Sequence, residues 1–377
     1  MVYFDNAATT YPKPNEVIKA VNNAFVHYGA NPGRSGHKLS VDTARQVYEC
    51  RELVADFFGC KNPEQVVFTQ NCTHALNLAI KGILRVGDHA IISDIEHNSV
   101  LRPIHTLKER GAIAYDIAPI DLSDDVTVEN FRRLIKPNTK LIAVSHGSNV
   151  FGIRSPIEKL AKLAHENGCY FLVDAAQTAG VVEIDMEKTG IDFLCAAGHK
   201  SLYGPMGTGI LIAAKGEDLC TIIEGGSGSA SLDYNQPDFM PDKLESGTLN
   251  AIGIVGLKAG INFVKSMGIP AIYNHEMKIA REIYSRIACE KNVQLYTPYP
   301  VDGVHLPVIS FNIIGRAGEE TAQLLDEKGY CLRGGYHCAP LAHKKFGTLD
   351  TGAARISIGA FNNLAQAAGL ASEIKKL

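Results

Sequence analysis

The 377-residue sequence lacks several features that indicate particular classes of protein. It has no apolar stretch of about 18 residues and no basic N-terminal region followed by an apolar run, so neither a membrane span nor a secretory signal is expected. It has no excess of positive charge, because 37 lysines and arginines stand against 40 aspartates and glutamates. A net charge of -3 argues against a nucleic acid or an anionic membrane as the main partner.

The sequence also lacks a disulfide framework and a metal-binding motif. Its nine cysteines are an odd number, and no two of them form a C-x-x-C pair. In a chain of this length that pattern favours a reducing compartment, and we expect a cytoplasmic protein. No H-E-x-x-H motif is present, and His337, Cys338 and His343 have no companion cluster. No metal site is therefore predicted.

Short β-branched runs alternate with helical patterns between residues 64 and 215, which is typical of βαβ units on a mainly parallel sheet. Two helices are predicted from apolar residues on one face, the first over 75–83 and the second from 157 to Asn167-Gly168. Strands are predicted at 65–69, 90–93, 140–145, 170–173, 193–196 and 209–213. Because these strands are apolar nearly throughout, helices are expected on both faces of the sheet.

The C-terminal third has a different composition. Residues 224–242 are rich in Gly, Ser, Asp and Pro and predict a long loop, and a helix is expected over 252–265. Strands predicted at 308–313 and 354–358 indicate a smaller α/β unit, with a boundary near 255–265.

Polar residues follow several predicted strands at the edge where open α/β sheets bind ligands. Asn71-Cys72-Thr73 opens a helix, which suits a phosphate or is an ordinary N-cap. Asp174 ends a strand, as a cap, a metal ligand or a functional carboxylate. Lys200 follows another strand, either as a solvated charge or as a desolvated amine able to form a Schiff base.

Together these three features match what pyridoxal phosphate (PLP) requires: a phosphate anchor, a partner for the pyridinium nitrogen and an amine. Two competing cofactor sites lack their motifs. No G-x-G-x-x-G opens a helix after a strand, and residues 33–39 do not have the spacing of a P-loop.

Six motifs, in order along nearly the whole chain, resemble those of class V aminotransferase-fold enzymes. They begin at Phe4-Asp5-Asn6-Ala7-Ala8, Glu96-His97-Asn98-Ser99, His146-Gly147-Ser148-Asn149, Val173-Asp174-Ala175-Ala176-Gln177, Gly198-His199-Lys200 and Glu245-Ser246-Gly247-Thr248. The segment Arg333-Gly334-Gly335-Tyr336-His337-Cys338 resembles the catalytic-cysteine loop of group II cysteine desulfurases and selenocysteine lyase-like enzymes.

The resemblance implies PLP-dependent transferase fold type I. This fold has a large domain with a mainly parallel sheet sandwiched by helices and a smaller C-terminal α/β domain. We expect the large PLP-binding domain over 15–258, and the small domain over 1–14 and 259–377, carrying the cysteine loop. The resemblance also implies a homodimer.

The resemblance also implies which residues contact the cofactor, because each family motif assigns a role to a matching position of this sequence. The resemblance makes Lys200 the Schiff-base lysine and Asp174 the partner of the ring nitrogen. Gln177 would bind the phenolic oxygen and His97 would stack on the ring. Cys72, Thr73 and His199 would hold the phosphate, together with Thr248 from the other subunit, and Asn149 is a further implied cofactor contact.

The substrate contacts follow in the same way. Arg355 would clamp the substrate carboxylate, a task suited to a planar donor. Asn149, His37 and Arg333 would line the substrate side.

The chain departs from the family pattern at two positions. Ala197 stands where the family usually has a hydroxyl residue, so one phosphate contact is expected to be missing. Cys72 stands where threonine is common. Both changes are expected to weaken cofactor binding without removing a group that the chemistry needs.

The implied reaction converts L-cysteine to alanine. Lys200 removes the α-proton, the thiolate of Cys338 attacks the substrate sulfur, and the resulting persulfide passes to an acceptor protein. Arg333 and His337 are expected to be cations that favour the Cys338 thiolate. Three alternatives remain open: a selenocysteine lyase, a transamination or epimerisation in which Cys338 is incidental, and a non-catalytic binding protein.

Overall fold

The computed structural model describes residues 1–33 and 36–377, so two residues of the segment 33–39 lie outside the described part. In chain order the strands are β1 (Val2–Tyr3), β2 (Val66–Thr69), β3 (His89–Ser93), β4 (Ala114–Ala118), β5 (Thr139–Ser145), β6 (Tyr170–Asp174), β7 (Phe193–Ala197), β8 (Gly209–Ala213), β9 (Val293–Leu295), β10 (Val308–Ile313), β11 (Tyr330–Cys331), β12 (Arg333–Gly335) and β13 (Ala353–Ser357).

The α-helices surround these strands. In chain order they are α1 (Asn15–His27), α2 (Lys38–Phe57), α3 (Cys72–Ile83), α4 (Asn98–Glu109), α5 (Asp124–Arg132), α6 (Ile157–Glu166), α7 (Met186–Thr189), α8 (Ala251–Met267), α9 (Ile269–Ile287), α10 (Gly318–Asp326), α11 (Pro340–Lys345) and α12 (Leu364–Lys376).

The largest sheet has seven strands in the order β2-β8-β7-β6-β5-β3-β4. Strands β4, β3, β5, β6 and β7 run parallel, and β8 is antiparallel to both β7 and β2. Strand β2 therefore runs in the same direction as β7. The carboxyl ends of β2, β3, β5, β6 and β7 meet at one edge, which is where the predicted polar residues follow their strands.

The prediction of helices on both faces is confirmed by the packing of alternate side chains. Phe171 and Val173 of β6 belong to one buried apolar cluster, and Leu172 between them belongs to another. The strands contribute to both clusters because each sheet face is covered by helices, which explains their nearly continuous apolar sequence.

The sequence predictions need two corrections in this sheet. Gln65 is not in the first strand but ends a short 3-10 turn, Pro63–Gln65, capped by the Asn62 side chain. Strand β4 was not predicted, because it is a sheet edge whose residues are mostly exposed or half-buried. It lacks the apolar run that marks the buried strands.

A second sheet has the order β12-β13-β10-β9 and is antiparallel throughout. Its last strand in the chain is Ala353–Ser357, one residue earlier than predicted. Strand β1 pairs with β11, and Phe4 is buried with residues of α9, β10 and α12. The chain's start is therefore packed against its C-terminal third. The domain ranges 15–258 and 1–14 plus 259–377 stay a prediction.

Among the described residues, no single helix has the length and apolar composition to cross a membrane. The pair α8 and α9 meets that test only when the two are taken together, and they are bent by 78° with respect to each other.

Candidate active site

One cavity of about 220 Å³ lies at the carboxyl edge of the large sheet. Its wall brings together residues that are far apart in the sequence and come from both sheets. Ten of the predicted site residues line it: Cys72, Thr73, His97, Asn149, Asp174, Gln177, His199, Lys200, Arg333 and Arg355. The structure does not bring Cys338, Thr248 or His37 into this wall.

Lys200 follows β7 and its main chain is held by the N-terminal segment. Thr10 Oγ1 donates to the Lys200 carbonyl oxygen at 2.9 Å, and Lys13 Nζ donates to the His199 carbonyl oxygen at 2.6 Å. Burial lowers the pKa of the Lys200 amine from its usual 10.5, although the carboxylate of Asp174 opposes this shift. A lowered pKa increases the fraction of the amine that is unprotonated near neutral pH, and only the unprotonated amine can act as a nucleophile or as a general base.

Asp174 ends β6 and is almost fully buried. Its Oδ1 accepts the main-chain N–H of Ala176 at 2.9 Å and the thiol of Cys72 at an Sγ–Oδ1 distance of 3.5 Å. Within residues 1–33 and 36–377, no group donates to Oδ2. Gln177, three residues on, donates through Nε2 to the Ala7 carbonyl oxygen at 3.0 Å.

His97 is the N-cap of α4, and its ring is held in one protonation state. Nδ1 accepts the main-chain N–H of Ser99 at 3.1 Å and lies 2.9 Å from Ser99 Oγ, which is 2.7 Å from Thr73 Oγ1. Because Nδ1 accepts a main-chain N–H, the ring proton is on Nε2. Burial lowers the pKa of His97 to about 4, so the ring is neutral.

Glu96, which sequence reasoning left without a role, fixes the neighbouring strand ends. Its buried carboxylate accepts the Ser145 N–H and hydroxyl, both at 2.8 Å, and a hydrogen bond from Ser93. The carboxylate thereby ties the end of β3 to the end of β5 and sets the position of His97. The motif Glu96-His97-Asn98-Ser99 was the available signal, but only the fold shows that the glutamate points into the protein.

The start of α3 is suited to an anion. Asn71 caps the helix by accepting the His74 N–H at 2.9 Å, and the N–H groups of Cys72 and Thr73 have no acceptor among the described residues. His199 lies in the same wall, and its buried Nδ1 also has no partner in the described part of the chain. Burial lowers the pKa of His199 to about 4, so it acts as a neutral donor or acceptor.

Arg355 is buried in the wall from β13. Its guanidinium donates to Asp5 Oδ1 and, at 2.9 Å, to the Asn149 carbonyl oxygen, while Nε has no acceptor among the described residues. Asp5 was in a quoted motif but was not predicted as a partner of Arg355. Arg333 is the direct cross-strand neighbour of Arg355, so two arginines flank the cavity.

Cys338 lies outside the wall but its loop is bound to it. The Cys338 carbonyl oxygen accepts the main-chain N–H of Asn98 at 2.7 Å, and Asn149 Nδ2 donates to the His337 carbonyl oxygen at 2.8 Å. The thiol-bearing residue is exposed. His337 and Cys338 have φ angles of 50° and 56°, a left-handed conformation that non-glycine residues seldom adopt and that clusters at functional sites.

The prediction that His337 is a cation is wrong. The residue is buried, and burial together with the charge of Arg355 lowers its pKa to about 2. Its Nε2 lies 3.2 Å from the Arg333 carbonyl oxygen, which requires the proton on Nε2. His337 therefore shapes the loop as a neutral ring. Of the two residues that were predicted to be cations, Arg333 and His337, only Arg333 remains one.

Two predicted residues lie away from the cavity in this chain. His37 is the N-cap of α2, where Nδ1 accepts the Ser40 N–H at 3.3 Å. Thr248 is exposed and lines a neighbouring cavity that shares Asn71 and His199 with the first. Their predicted roles toward cofactor and substrate stay predictions.

The chain is similar to known proteins over nearly its whole length. The family profile Aminotransferase class-V matches residues 2–370. A protein of Methanothermobacter thermautotrophicus named a probable cysteine desulfurase is 34% identical over 96% of this chain and 90% of its own length. A cysteine desulfurase of Salmonella dublin is 31% identical over 90% of this chain and 84% of its own length.

The solved structures that resemble the chain are also of cysteine desulfurases. The apo structure of a cysteine desulfurase from Thermococcus onnurineus is similar with a TM-score of 0.92 and 32% identity, covering all of this chain and 94% of the other. The cysteine desulfurase CsdA of Escherichia coli is similar with a TM-score of 0.88 and 25% identity, over 99% and 94% of the two chains. The predicted fold class is confirmed, and the chain belongs to the class V aminotransferase family.

Proposed function

We propose that this protein is a PLP-dependent cysteine desulfurase, which converts L-cysteine to L-alanine and carries the sulfur as a persulfide on Cys338. The observation that carries the proposal is the hydrogen bond from the Asn98 N–H to the Cys338 carbonyl oxygen. It binds the thiol-bearing loop to the residue after His97, at the cavity that holds Lys200. A transamination site has no need of a cysteine held there.

The residues of the cavity fit PLP. The unused N–H groups at the start of α3, Thr73 and His199 would hold the phosphate, and Asp174 Oδ2 would accept a hydrogen bond from the protonated ring nitrogen. Gln177 would bind the phenolic oxygen and His97 would stack on the ring. The unpartnered Nδ1 of His199 is a group that such a ligand would satisfy.

When bound, PLP supplies an electron sink for the charge left when an amino acid loses its α-proton. Lys200 would hold the cofactor covalently through Nζ and, once displaced by the substrate amine, take up the α-proton. Asp174 would keep a proton on the ring nitrogen, because the protonated ring is what stabilises that charge. Arg355 and Arg333 would orient the substrate carboxylate, and Asn149 lies in the same wall. His37 lies outside this wall in its own chain, so its contact with the substrate stays a prediction.

The sulfur step belongs to Cys338. Its thiolate attacks the substrate sulfur, so that an S–S bond forms and the carbon–sulfur bond breaks. The electron pair of the broken bond stays with carbon, which takes up a proton and is released in alanine. The exposed position of Cys338 supports transfer of the outer sulfur to the thiol of an acceptor protein.

A homodimer would complete the site. Thr248 is exposed in its own chain and absent from the wall of the first cavity, which supports the prediction that it serves the cofactor phosphate of a second copy. A cytoplasmic location agrees with the need for a free thiol, because a reducing compartment keeps Cys338 unpaired.

The test measures alanine and sulfide released from L-cysteine in the presence of a reductant. Wild-type protein and Cys289→Ala, which removes another exposed cysteine, are expected to be active. Cys338→Ala is expected to bind PLP but to release neither product from cysteine. Full activity of Cys338→Ala would reject the proposal. Side-by-side turnover of selenocysteine separates the desulfurase from a selenocysteine lyase, and keto-acid dependence without sulfide would indicate a transaminase.

A further inference from the structure

The thiol of Cys72 contacts the carboxylate of Asp174 inside the cavity wall. Cys72 is the first residue of α3, so its main chain faces the anion-binding end of the helix while its sulfur lies 3.5 Å from Asp174 Oδ1. The side chain was expected to hold the phosphate, and the structure instead turns it toward the carboxylate. Residue 72 therefore links two parts of the cofactor site.

The thiol is the donor in this contact. Burial and the negative charge of Asp174 raise the pKa of the Cys72 thiol well above 9, so the sulfur keeps its proton. The same conditions exclude Cys72 as a nucleophile, because thiolates and not thiols are reactive.

The hydrogen bonds on Asp174 are confined to one of its two oxygens. Oδ1 accepts from Cys72 and from the Ala176 N–H, whereas Oδ2 receives no donor from residues 1–33 or 36–377. Two donors on the same oxygen fix the rotation of the carboxylate about its χ2 bond. They leave the second oxygen available to a group in the cavity.

We propose that Cys72 is a positioning residue, whose S–H bond to Oδ1 turns Asp174 so that Oδ2 meets the protonated ring nitrogen of the cofactor. This inference rests on the proposed function, since it requires bound PLP. Ala176 alone does not hold the group as firmly, because a single donor leaves the carboxylate free to swing about that contact.

Replacing the sulfur distinguishes positioning from packing. Cys72→Ala and Cys72→Ser both remove the sulfur atom and leave a smaller side chain, but only serine keeps a donor at this place. Cys195→Ala is the matched control, because Cys195 is also a buried thiol near Asp174 but makes no hydrogen bond with it and does not line the cavity.

Two measurements on the holoenzyme read the position of Asp174. The first is the dissociation constant of PLP by equilibrium dialysis, which for Cys72→Ala is expected to rise about five-fold, the effect of losing one ordinary hydrogen bond. The second is the ¹⁵N chemical shift of ring-labelled PLP, which reports whether the ring nitrogen is protonated. Cys72→Ala is expected to move this signal toward the unprotonated form.

Cys72→Ser is expected to have a PLP dissociation constant within two-fold of the wild type and the wild-type ¹⁵N chemical shift. Cys195→Ala is expected to change neither quantity. Equal effects of alanine and serine at position 72 would mean packing and would overturn the inference, as would a wild-type signal in Cys72→Ala. Far-ultraviolet circular dichroism and the melting temperature show whether Cys72→Ala has lost its fold. If it has, Cys72→Ser decides alone: wild-type values of the dissociation constant and the chemical shift support the inference, and changed values overturn it. If wild-type protein binds no PLP, the proposed function itself fails; if it binds PLP and releases alanine from cysteine, only the inference is at stake.

Discussion

Removal of either partner of the buried ion pair between Arg51 and Glu245 is expected to lower the unfolding free energy of the protein strongly. Both side chains are only 6% exposed. Glu245 accepts from Arg51 Nη1 at 2.9 Å, from Nη2 at 2.8 Å and from the Phe68 N–H at 2.6 Å. The pair joins α2 to the start of the Glu245-Ser246-Gly247-Thr248 segment, whose threonine is the predicted contact with a second subunit.

Glu245→Ala would leave a buried guanidinium without its counter-charge and the Phe68 N–H without an acceptor. Removal of one partner of a buried pair costs about 3–5 kcal/mol of unfolding free energy. Arg51 retains a hydrogen bond to the Val66 carbonyl oxygen and lies 4.9 Å from the centroid of the Phe68 ring. Because these contacts remain, we expect a loss near the lower end, about 3 kcal/mol.

Urea unfolding of the protein measures this loss, with circular dichroism and tyrosine fluorescence as two probes that must give one transition. The double variant Arg51→Met with Glu245→Met removes both charges and is expected to cost less than Glu245→Ala. Glu187→Ala, which breaks the exposed pair with Lys61, is expected to leave the midpoint unchanged. A loss below about 1 kcal/mol for Glu245→Ala, or a double variant that loses at least as much stability as Glu245→Ala, would refute the reasoning.

Three further outcomes are expected. Lys200→Ala should bind PLP without a covalent link, so that borohydride reduction adds no mass to the protein; a mass increase at another lysine would move the assignment. Arg355→Gln should raise the KM for cysteine at least ten-fold while PLP binding changes little, because a charged donor to the carboxylate is lost; an unchanged KM would exclude the clamp. Burial raises the pKa of Glu96 from 4.5 to about 7, so the folded protein binds this proton more tightly than the unfolded chain. Unfolding free energy should therefore fall by about 3 kcal/mol between pH 4.5 and 7 relative to Glu96→Gln, and parallel pH profiles would contradict this.

The strands that build the site could be predicted from the sequence because they are buried on both faces. Their apolar runs end where Asp174 and Lys200 begin, and the edge of the sheet brings these residues together. Strand β4 was missed since an exposed sheet edge has no such run. The cation assigned to His337 failed for a related reason: sequence proximity to Cys338 says nothing about burial, and burial decides the charge of an imidazole.

The sequence by itself determined the α/β class, the residue types at the strand ends and the motifs that resemble class V enzymes, because local patterns of apolar and polar residues carry that information. Only the tertiary structure decided which atoms meet. It turned the Cys72 thiol to Asp174, gave Arg355 the Asp5 carboxylate from the other end of the chain, and bound the Cys338 carbonyl to Asn98. These contacts join residues up to 350 positions apart, and their protonation states depend on burial, a property that local sequence patterns do not specify.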